Sequence, residues 1–332
     1  MKIIFAAALA SLFFTTSAMA LDCDTGLRPI THAGGETCIP VDPQRIVSLH
    51  DLSVTLPLVE FGKTEAIVGS HGRVSEDGVR FIRAVNTFFG VDFHNSNIEF
   101  IGVFNEIDME VVASLQPDLI IGRSNDLEVF EHFSAIAPTV LVDLKELDYM
   151  GRIKAIADIA GELDQYNERL SAFEARIAEA QRLIPDAADI AVVTLQPWAE
   201  DGGFDLYKNL YALTEVISSI GFGQTDTVAE YIGNITGNGD SLSGELLLDM
   251  DSDFIFTSFD VNWDDQNTPE LVAAEFEAIT PGFCDFLKAC QENQIIYLPR
   301  SPFYSGSFSS LNFALDQVLT HVIGRGFTHI DD

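Results

Sequence analysis

The chain has 332 residues and a formal net charge of −33, from 18 lysines and arginines against 51 aspartates and glutamates. This charge repels the phosphate backbone of nucleic acids and the surface of anionic membranes, which excludes both as binding partners. A chain of this length also exceeds the size at which one hydrophobic core keeps growing, so two lobes are expected.

The first twenty residues have the pattern of a secretory signal peptide. Lys2 supplies a positive start, residues 3–14 form an apolar run, and Ala18-Met19-Ala20 provides the small residues that a signal peptidase requires. The run is shorter than the ~20 apolar residues of a membrane helix, which favours cleavage over a membrane anchor. Cleavage removes Lys2 and changes the formal charge from −33 to −34. We therefore expect a soluble periplasmic protein without membrane insertion.

Four cysteines form two close pairs, Cys23 with Cys38 and Cys284 with Cys290. In an oxidising compartment such pairs are typical of local disulfides. A metal site of four thiolates is the alternative, but it requires CxxC-like spacing, which neither pair has. Asp22 precedes Cys23, where a lipid-modified cysteine needs a small residue, so a lipoprotein anchor is not expected.

Strands and helices alternate through the first half of the mature chain. Strands are predicted at 43–49, 66–69, 118–122 and 137–142, and helices at 54–62, 79–93 and 109–115. This alternation indicates an α/β fold with parallel-type central sheets that carry helices on both faces.

From 150 to 183 the pattern becomes entirely helical, and Gly161 divides it into two helices. The apolar residues of the second helix follow helical spacing, at Leu170, Phe173, Ile177 and Ala180. Pro185 ends it, and a strand follows at 190–195. A single long helix between two α/β halves would act as a stiff strut. The predicted domains are a signal peptide at 1–20, an N-terminal α/β lobe at 21–160, an interlobe helix at 161–186 and a C-terminal α/β lobe at 187–332.

A segment of the first half recurs in the second. Glu110 begins a helix, and Asp118 lies eight residues later, just before a buried strand; Glu245 and Asp253 have the same arrangement. Two structurally similar lobes are therefore expected, with a ligand between them. Chance similarity of two helix–strand units is the alternative.

With these segments the chain resembles the iron–siderophore and vitamin B12 class (class III) of periplasmic substrate-binding proteins of ABC transporters. The resemblance runs from Pro43 to about Gly324, and its carriers are 43–47 (PQRIV), 110–121 (with LQPDLII), 240–245 (DSLSGE) and 295–298 (IIYL). It implies two α/β lobes joined by one rigid helix. It also implies capture of a ferric siderophore between the lobes and delivery to the permease dimer of an ABC importer.

The resemblance gives Glu110 and Glu245 the role of docking on basic residues of the permease, one glutamate from each lobe. Exposed carboxylates at helix starts are also stabilised by the helix dipole, so ordinary acidic first-turn residues are the alternative.

Ferric catecholates and citrates are anionic, so their pockets need cations and aromatic walls. Arg73, Arg123 and Arg300 each follow a predicted strand, and catecholate binders of the family place an arginine where Arg123 stands. Surface salt bridges are the alternative for each arginine. His71 is expected to be exposed in its turn, where it would either bond the ligand or have no special role.

Aromatic residues also cluster after predicted strands, and plain packing is the alternative role for them. The candidates for ligand contact are Trp198, Tyr207, Trp263, Phe303 and Tyr304. Some catecholate binders offer iron a tyrosine near the position of Tyr304. Their accompanying histidine is missing here, where Asn238-Gly239-Asp240 stands, and this departure puts direct iron ligation in doubt.

Other functions lack their motifs. No nucleophile elbow, phosphate-binding loop or HExxH pair is present, so an enzyme is not expected, and neither is a cofactor or a resident metal. Capture of free Zn²⁺ or Mn²⁺ would need more ligands than His50 and His71, the two histidines in predicted cleft loops. Haem, with Tyr207 or Tyr304 as axial ligand, and cobalamin stay open as alternative ligands. A non-transport sensor with this fold is a remote alternative.

Overall fold

The computed structural model describes residues 21–104, 106–261, 266–323 and 326–330. The strands are β1 (Leu27–His32), β2 (Gly35–Pro40), β3 (Ile46–Ser48), β4 (Ile67–Ser70), β5 (Arg73–Val74), β6 (Arg80–Phe81), β7 (Glu99–Phe100), β8 (Gly102–Val103), β9 (Glu106–Ile107), β10 (Leu119–Arg123), β11 (Thr139–Val142), β12 (Val192–Trp198), β13 (Gly203–Tyr207), β14 (Gly239–Ser243), β15 (Phe254–Phe259) and β16 (Ile295–Pro299). The α-helices are α1 (Leu56–Glu60), α2 (Val85–Phe89), α3 (Met109–Ser114), α4 (Phe130–Ser134), α5 (Tyr149–Ala160), α6 (Leu163–Leu183), α7 (Tyr211–Ile220), α8 (Asp226–Asn234), α9 (Pro269–Ile279), α10 (Lys288–Gln291), α11 (Arg300–Phe303) and α12 (Phe308–Val322).

The N-terminal lobe is built on a parallel sheet of five strands in the order β11-β10-β3-β4-β7. Strand β10, which lies between β11 and β3, is buried at every residue, because helices and loops cover both faces. Parallel strands all end at the same edge of a sheet. The loops after β3, β4 and β10 therefore emerge together on the side that faces the other lobe.

The C-terminal lobe has a mixed sheet in the order β14-β13-β12-β15-β16. Strands β12, β15 and β16 are parallel, as expected, whereas β13 and β14 extend the sheet in antiparallel fashion. A tight turn ending at Gly202, whose φ is +67°, joins β12 to β13 and makes this reversal. The recurring segment is present in both lobes: α3 precedes β10, and a 3₁₀ helix at Gly244–Met250 precedes β15. The fold is thus α/β with two similar lobes.

Helix α6 spans 21 residues, about 30 Å, and connects the two lobes. The break predicted at Gly161 is confirmed, since this glycine ends α5 in the left-handed conformation with a φ of +76°. The predicted apolar stripe is buried in part, at Phe173, Ile177 and Ala180.

The segment 79–93, predicted as a helix with a C-terminal loop, contains much less helix than expected. This segment contains the short strand β6 and the five-residue helix α2, which Gly90 ends at a φ of +65°. The buried carboxylate of Asp92 accepts hydrogen bonds from the backbone N–H groups of Ile82, at 2.9 Å, and Phe93, at 2.8 Å. Such side-chain bonds satisfy backbone donors outside a helix, which apolar spacing alone does not reveal.

One hydrophobic cluster runs through both lobes and the connecting helix. It joins Ile46 and Ile121 of the first sheet, Phe173 of α6, and Phe256 and Leu311 of the second lobe. Two smaller clusters cover the outer faces of the sheets. Because the lobes share a core, hinge bending between them would expose apolar surface to water.

Two buried polar groups also bridge the lobes. The Glu60 carboxylate, at the end of α1, accepts hydrogen bonds from Phe308 N at 2.9 Å, Ser309 N at 2.7 Å and Ser309 Oγ at 2.6 Å, at the start of α12. The Tyr149 hydroxyl, on α5, donates to the carbonyl of Ser305 at 2.6 Å. The anion at the helix N-terminus satisfies free N–H groups and is favoured by the helix dipole.

Both predicted disulfides are confirmed. Cys23 bonds Cys38 and Cys284 bonds Cys290, with Cα–Cα distances of 5.7 and 5.0 Å. The first disulfide closes the β1–β2 hairpin, which lies against edge strand β11 through a hydrogen bond from Ala33 N to the Leu141 carbonyl at 3.0 Å. No helix in the described ranges is long and apolar enough to cross a membrane.

The Glu60→Ala substitution should lower the free energy of unfolding by roughly 2–4 kcal/mol, because it leaves the buried N–H group of Phe308 and the partly buried N–H group of Ser309 without an acceptor. Chemical denaturation followed by circular dichroism measures this loss. The matched control is Glu65→Ala, an exposed glutamate near the same helix, which should change stability by at most about 0.5 kcal/mol. Equal stability losses in the two variants would contradict a bridging role for Glu60.

Candidate ligand-binding cleft

A cleft of about 430 Å³ lies between the lobes, at the edge where the strands of the first sheet end. The first lobe contributes the loops after β3, β4 and β10 and the start of α5. The second contributes the start of α7 and the loops before β14 and after α11. The lining residues are His50, Leu52, Ser53, Arg73, Arg83, Phe104, Arg123, Asn125, Leu144, Lys145, Arg152, Tyr211, Asn238 and Tyr304.

The cleft concentrates positive charge in a strongly acidic chain. Five of the 18 lysines and arginines line it, and the described lining residues include no aspartate or glutamate. The five are Arg73, Arg83, Arg123, Lys145 and Arg152. Such a surface attracts anions and repels free cations.

The charge of one cleft cation, Arg83, is neutralised by the buried carboxylate of Asp51. Arg83 donates two hydrogen bonds to this fully buried carboxylate, from Nε at 2.8 Å and from Nη2 at 2.7 Å. Burial alone would raise the pKa of Asp51, but the Arg83 guanidinium and the hydrogen bond with His71 outweigh burial and hold this pKa well below its usual value. Asp51 therefore stays ionised and fixes Arg83, and its charge also acts on Arg73 and Arg123 at longer range.

Two histidines stack beside this ion pair. The rings of His50 and His71 are nearly parallel, with centroids 5.4 Å apart. Burial, and then the nearby Arg123, lower the pKa of His50 well below 6.5, so its imidazole is neutral at neutral pH. The expectation that His71 is exposed is wrong: only 1% of its surface is accessible, because its Nδ1 lies 3.4 Å from the Asp51 carboxylate beneath the cleft.

Arg73 and Arg123 are incompletely compensated cations. Burial lowers the pKa of both guanidinium groups, and the neighbouring Arg83 lowers that of Arg73 further. The Nε of Arg123 lies 3.9 Å from the Asp126 carboxylate, too far for a hydrogen bond, and has no hydrogen-bond partner in the described part of the chain. An anion in the cleft would supply the missing interactions.

An aromatic wall faces these cations from the second lobe. The rings of Tyr211 and Tyr304 lie 4.3 Å apart, and Arg300 stacks on Tyr304 with its Cζ 4.2 Å from the ring centroid. Burial raises the pKa of Tyr211 to about 12, so its phenol keeps its proton. Arg300 itself is buried and donates to Ser258 Oγ at 3.0 Å, so it supports the wall rather than lining the cleft.

The structure thus brings Arg73, Arg123 and Tyr304 of the predicted ligand residues together in the cleft. Tyr207 lies behind it, 3.5 Å from Arg300 through its hydroxyl, and burial raises its pKa to about 12. Trp198 does not line the cleft: its Nε1 donates to Asp205 at 2.9 Å, on strand β13.

Phe303 corrects an expectation. It has no exposed surface and lies in the shared core, where the turn of α11 directs it away from the cleft. Trp263 lies outside the described residues. Glu110 and Glu245 are both exposed at the starts of their helices, one in each lobe.

Several lining residues were missed by sequence reasoning. Lys145 and Arg152 follow β11, which corresponds to the strand predicted at 137–142, so a search for cations after every predicted strand would have found them. Arg83 was not predicted as a ligand residue because it lies in the segment 79–93, where a helix was expected. Tyr211 gave no signal in the sequence, since its position depends on an unusual φ of +51° at the start of α7.

Comparisons with known proteins agree with this architecture. YhfQ of Bacillus subtilis, described as a putative ABC transporter substrate-binding lipoprotein, is 26% identical over 219 residues, which are 65% of this chain and 62% of YhfQ. YfiY of Bacillus subtilis, described as a probable siderophore-binding lipoprotein, is 21% identical over 316 residues, which are 89% of this chain and 88% of YfiY.

A solved structure shows the same fold. The crystal structure of Staphylococcus aureus SirA complexed with staphyloferrin B matches with a TM-score of 0.71 at 21% identity, over 89% of this chain and 98% of SirA. The model of the family described as "periplasmic binding protein" matches residues 94–302, more than half of the chain. The chain therefore belongs to the periplasmic binding protein family.

Proposed function

We propose that this protein captures an anionic ferric siderophore in the cleft between its lobes and delivers it to an ABC importer. The observation that carries the proposal is the cluster of five cations, with no carboxylate among the described lining residues, in a chain with a net charge of −33. The names of YfiY, a probable siderophore-binding protein, and of SirA, complexed with staphyloferrin B, support the same ligand class.

The chemistry of the cleft suits a ferric chelate. Arginine donates to oxygen anions from a planar group with several N–H donors, and such charge-assisted bonds are roughly twice as strong as neutral ones. Tyr211, Tyr304 and the exposed Phe104 offer flat apolar faces to the organic part of the chelate. Recognition of the chelate as a whole needs no iron ligand from the protein, which fits the protonated phenol of Tyr211.

The proposed place of action is the periplasm, after removal of residues 1–20. The Cys23 sulfur is bonded to Cys38, so it is not free to carry a lipid. The shared core and the Glu60 bridge favour a ligand that enters between lobes that move little. Glu110 and Glu245 would then present one carboxylate from each lobe to basic residues of the permease dimer.

Quenching of the intrinsic tryptophan fluorescence tests the ligand class. The titrants are ferric catecholates, ferric hydroxamates, ferric citrate, haem and cobalamin. We expect one anionic ferric chelate to bind with submicromolar affinity. Arg73→Gln and Arg123→Gln should each weaken its binding about tenfold or more, because each removes a charged hydrogen-bond donor from a partly desolvated site.

The control for this titration is Arg182→Gln, an exposed arginine on α6 that pairs with Glu179 and lies outside the cleft lining. It should leave the affinity unchanged. Tight binding of haem or cobalamin would keep the family and overturn the siderophore assignment. Equal losses in all three arginine variants would show that the net charge of the protein, rather than the cleft, determines binding.

The double substitution Glu110→Ala with Glu245→Ala should abolish uptake of the chelate and leave its affinity intact, because both carboxylates lie outside the cleft lining. Transport into cells or into proteoliposomes with the permease measures uptake, and the fluorescence titration measures affinity. Glu65→Ala with Glu230→Ala is the matched control, with the same charge change and one exposed glutamate in each lobe. A parallel fall in affinity would assign Glu110 and Glu245 to ligand binding instead.

A further inference from the structure

A second cavity opens beside the cleft, within the first lobe. This side chamber of about 450 Å³ shares Phe104, Arg123 and Asn125 with the cleft, so the two spaces adjoin. The remaining residues of its lining are Leu49, His71, Ile107, Met109, Asp126, Glu128, Val129, His132 and Phe133. The chamber is thus as large as the cleft, and Arg123 stands between the two.

The burial of the lining residues distinguishes a floor from a mouth. Leu49, His71, Arg123 and Phe133 are buried and form the floor. The mouth consists of exposed residues, namely Phe104, Asn125, Glu128, Val129 and His132. A ligand group that enters from the cleft would pass this mixed rim, in which Phe104 and Val129 are apolar, before it reaches the floor.

The floor holds two buried polar atoms that lack a partner. Arg123 Nε and His71 Nε2 are both inaccessible to water, and neither has a hydrogen-bond partner in the ranges that the structure describes. Arg123 is 6% exposed and His71 is 1% exposed, so water does not compensate them from outside. Unpaired buried polar groups cost free energy, and an arginine can be satisfied only by an acceptor because it has no acceptor atoms of its own.

The acidic residues around the chamber do not accept a hydrogen bond from Arg123 Nε. The Asp126 carboxylate accepts a hydrogen bond from the backbone N–H of Arg123 at 2.8 Å and lies 3.9 Å from its Nε. Glu128 is exposed at the mouth, where water screens its charge. Leu49 and Phe133 of the floor, together with Ile107, give the chamber an apolar surface next to Arg123.

We propose that the side chamber is a subsite for a pendant arm of the ferric chelate, with an apolar stem and a terminal carboxylate. The stem packs on Leu49, Ile107 and Phe133, and the carboxylate pairs with the Arg123 guanidinium, whose Nε lacks a hydrogen-bond partner among the described residues. This inference rests on the proposed function, which it narrows to chelates that carry such an arm.

Two synthetic ferric triscatecholates with identical iron-binding groups test the subsite. One carries a four-carbon arm that ends in a carboxylate, and the other carries the same arm with a terminal amide. Fluorescence titration of the wild-type protein should give about tenfold tighter binding of the carboxylate form, from one charge-assisted hydrogen bond more than the amide makes. An armless triscatecholate serves as the reference for binding in the cleft alone.

Val129→Trp places a large side chain at the mouth of the chamber, at a residue that is 41% exposed. This substitution should abolish the preference for the carboxylate form, so that the carboxylate and amide forms bind the variant with equal affinity. The matched control is Leu127→Trp, on the same 3₁₀ helix and 51% exposed, which does not line the chamber. This control should retain the wild-type affinities and the tenfold preference.

Each outcome bears on a different statement. Equal binding of the two armed forms to the wild-type protein overturns the subsite and leaves the proposed function intact. A preference that survives in Val129→Trp also overturns it, since the arm would then lie elsewhere. Failure of all three triscatecholates to bind, together with failure of the other ferric chelates, overturns the proposed function and the subsite with it.

Discussion

The geometry of the cleft depends on one buried carboxylate. Glu60, at the end of a helix in the first lobe, accepts hydrogen bonds from the first turn of α12 in the second lobe. Tyr149 adds a bond to the carbonyl of Ser305, so the short loop between α11 and α12 is held from the first lobe. Tyr304 is the first residue of this loop. The aromatic wall is therefore fixed relative to the arginines that it faces, with the shared core behind both.

Opposite charges are separated within the molecule. Acidic residues dominate the surface, whereas the cleft gathers cations at one edge of the parallel sheet, where the loops after β4, β10 and β11 meet. The buried Asp51 pairs directly with one of these cations, Arg83, and acts on Arg73 and Arg123 at longer range. An anion approaching the protein experiences general repulsion at long range, which salt screens, and local attraction in the cleft. Selectivity for a chelate then comes from short-range contacts in the cleft rather than from long-range electrostatic attraction of the ligand.

Local patterns predicted much of the fold. The break at Gly161, the buried strand β10 and the repeated helix–strand unit follow from glycine conformation, apolar runs and spacing, all of which are encoded by neighbouring residues. The segment 79–93 could not be predicted in this way, because Asp92 organises it through bonds to Ile82 and Phe93. In the site, Arg73 and Arg123 followed from their places after strands. Tyr211 and the burial of His71 depend on contacts between distant segments and on a strained backbone angle, which no local pattern contains.

The N-terminal hairpin, closed by Cys23 and Cys38, lies along the outermost strand of the first sheet. An uncovered outermost strand presents free N–H and C=O groups that another chain can pair with, a known route to aggregation. The disulfide that closes the hairpin forms only under oxidising conditions, so the hairpin is fully closed over this strand only in an oxidising environment. The redox conditions around the chain would thus determine when the first lobe is protected against self-association.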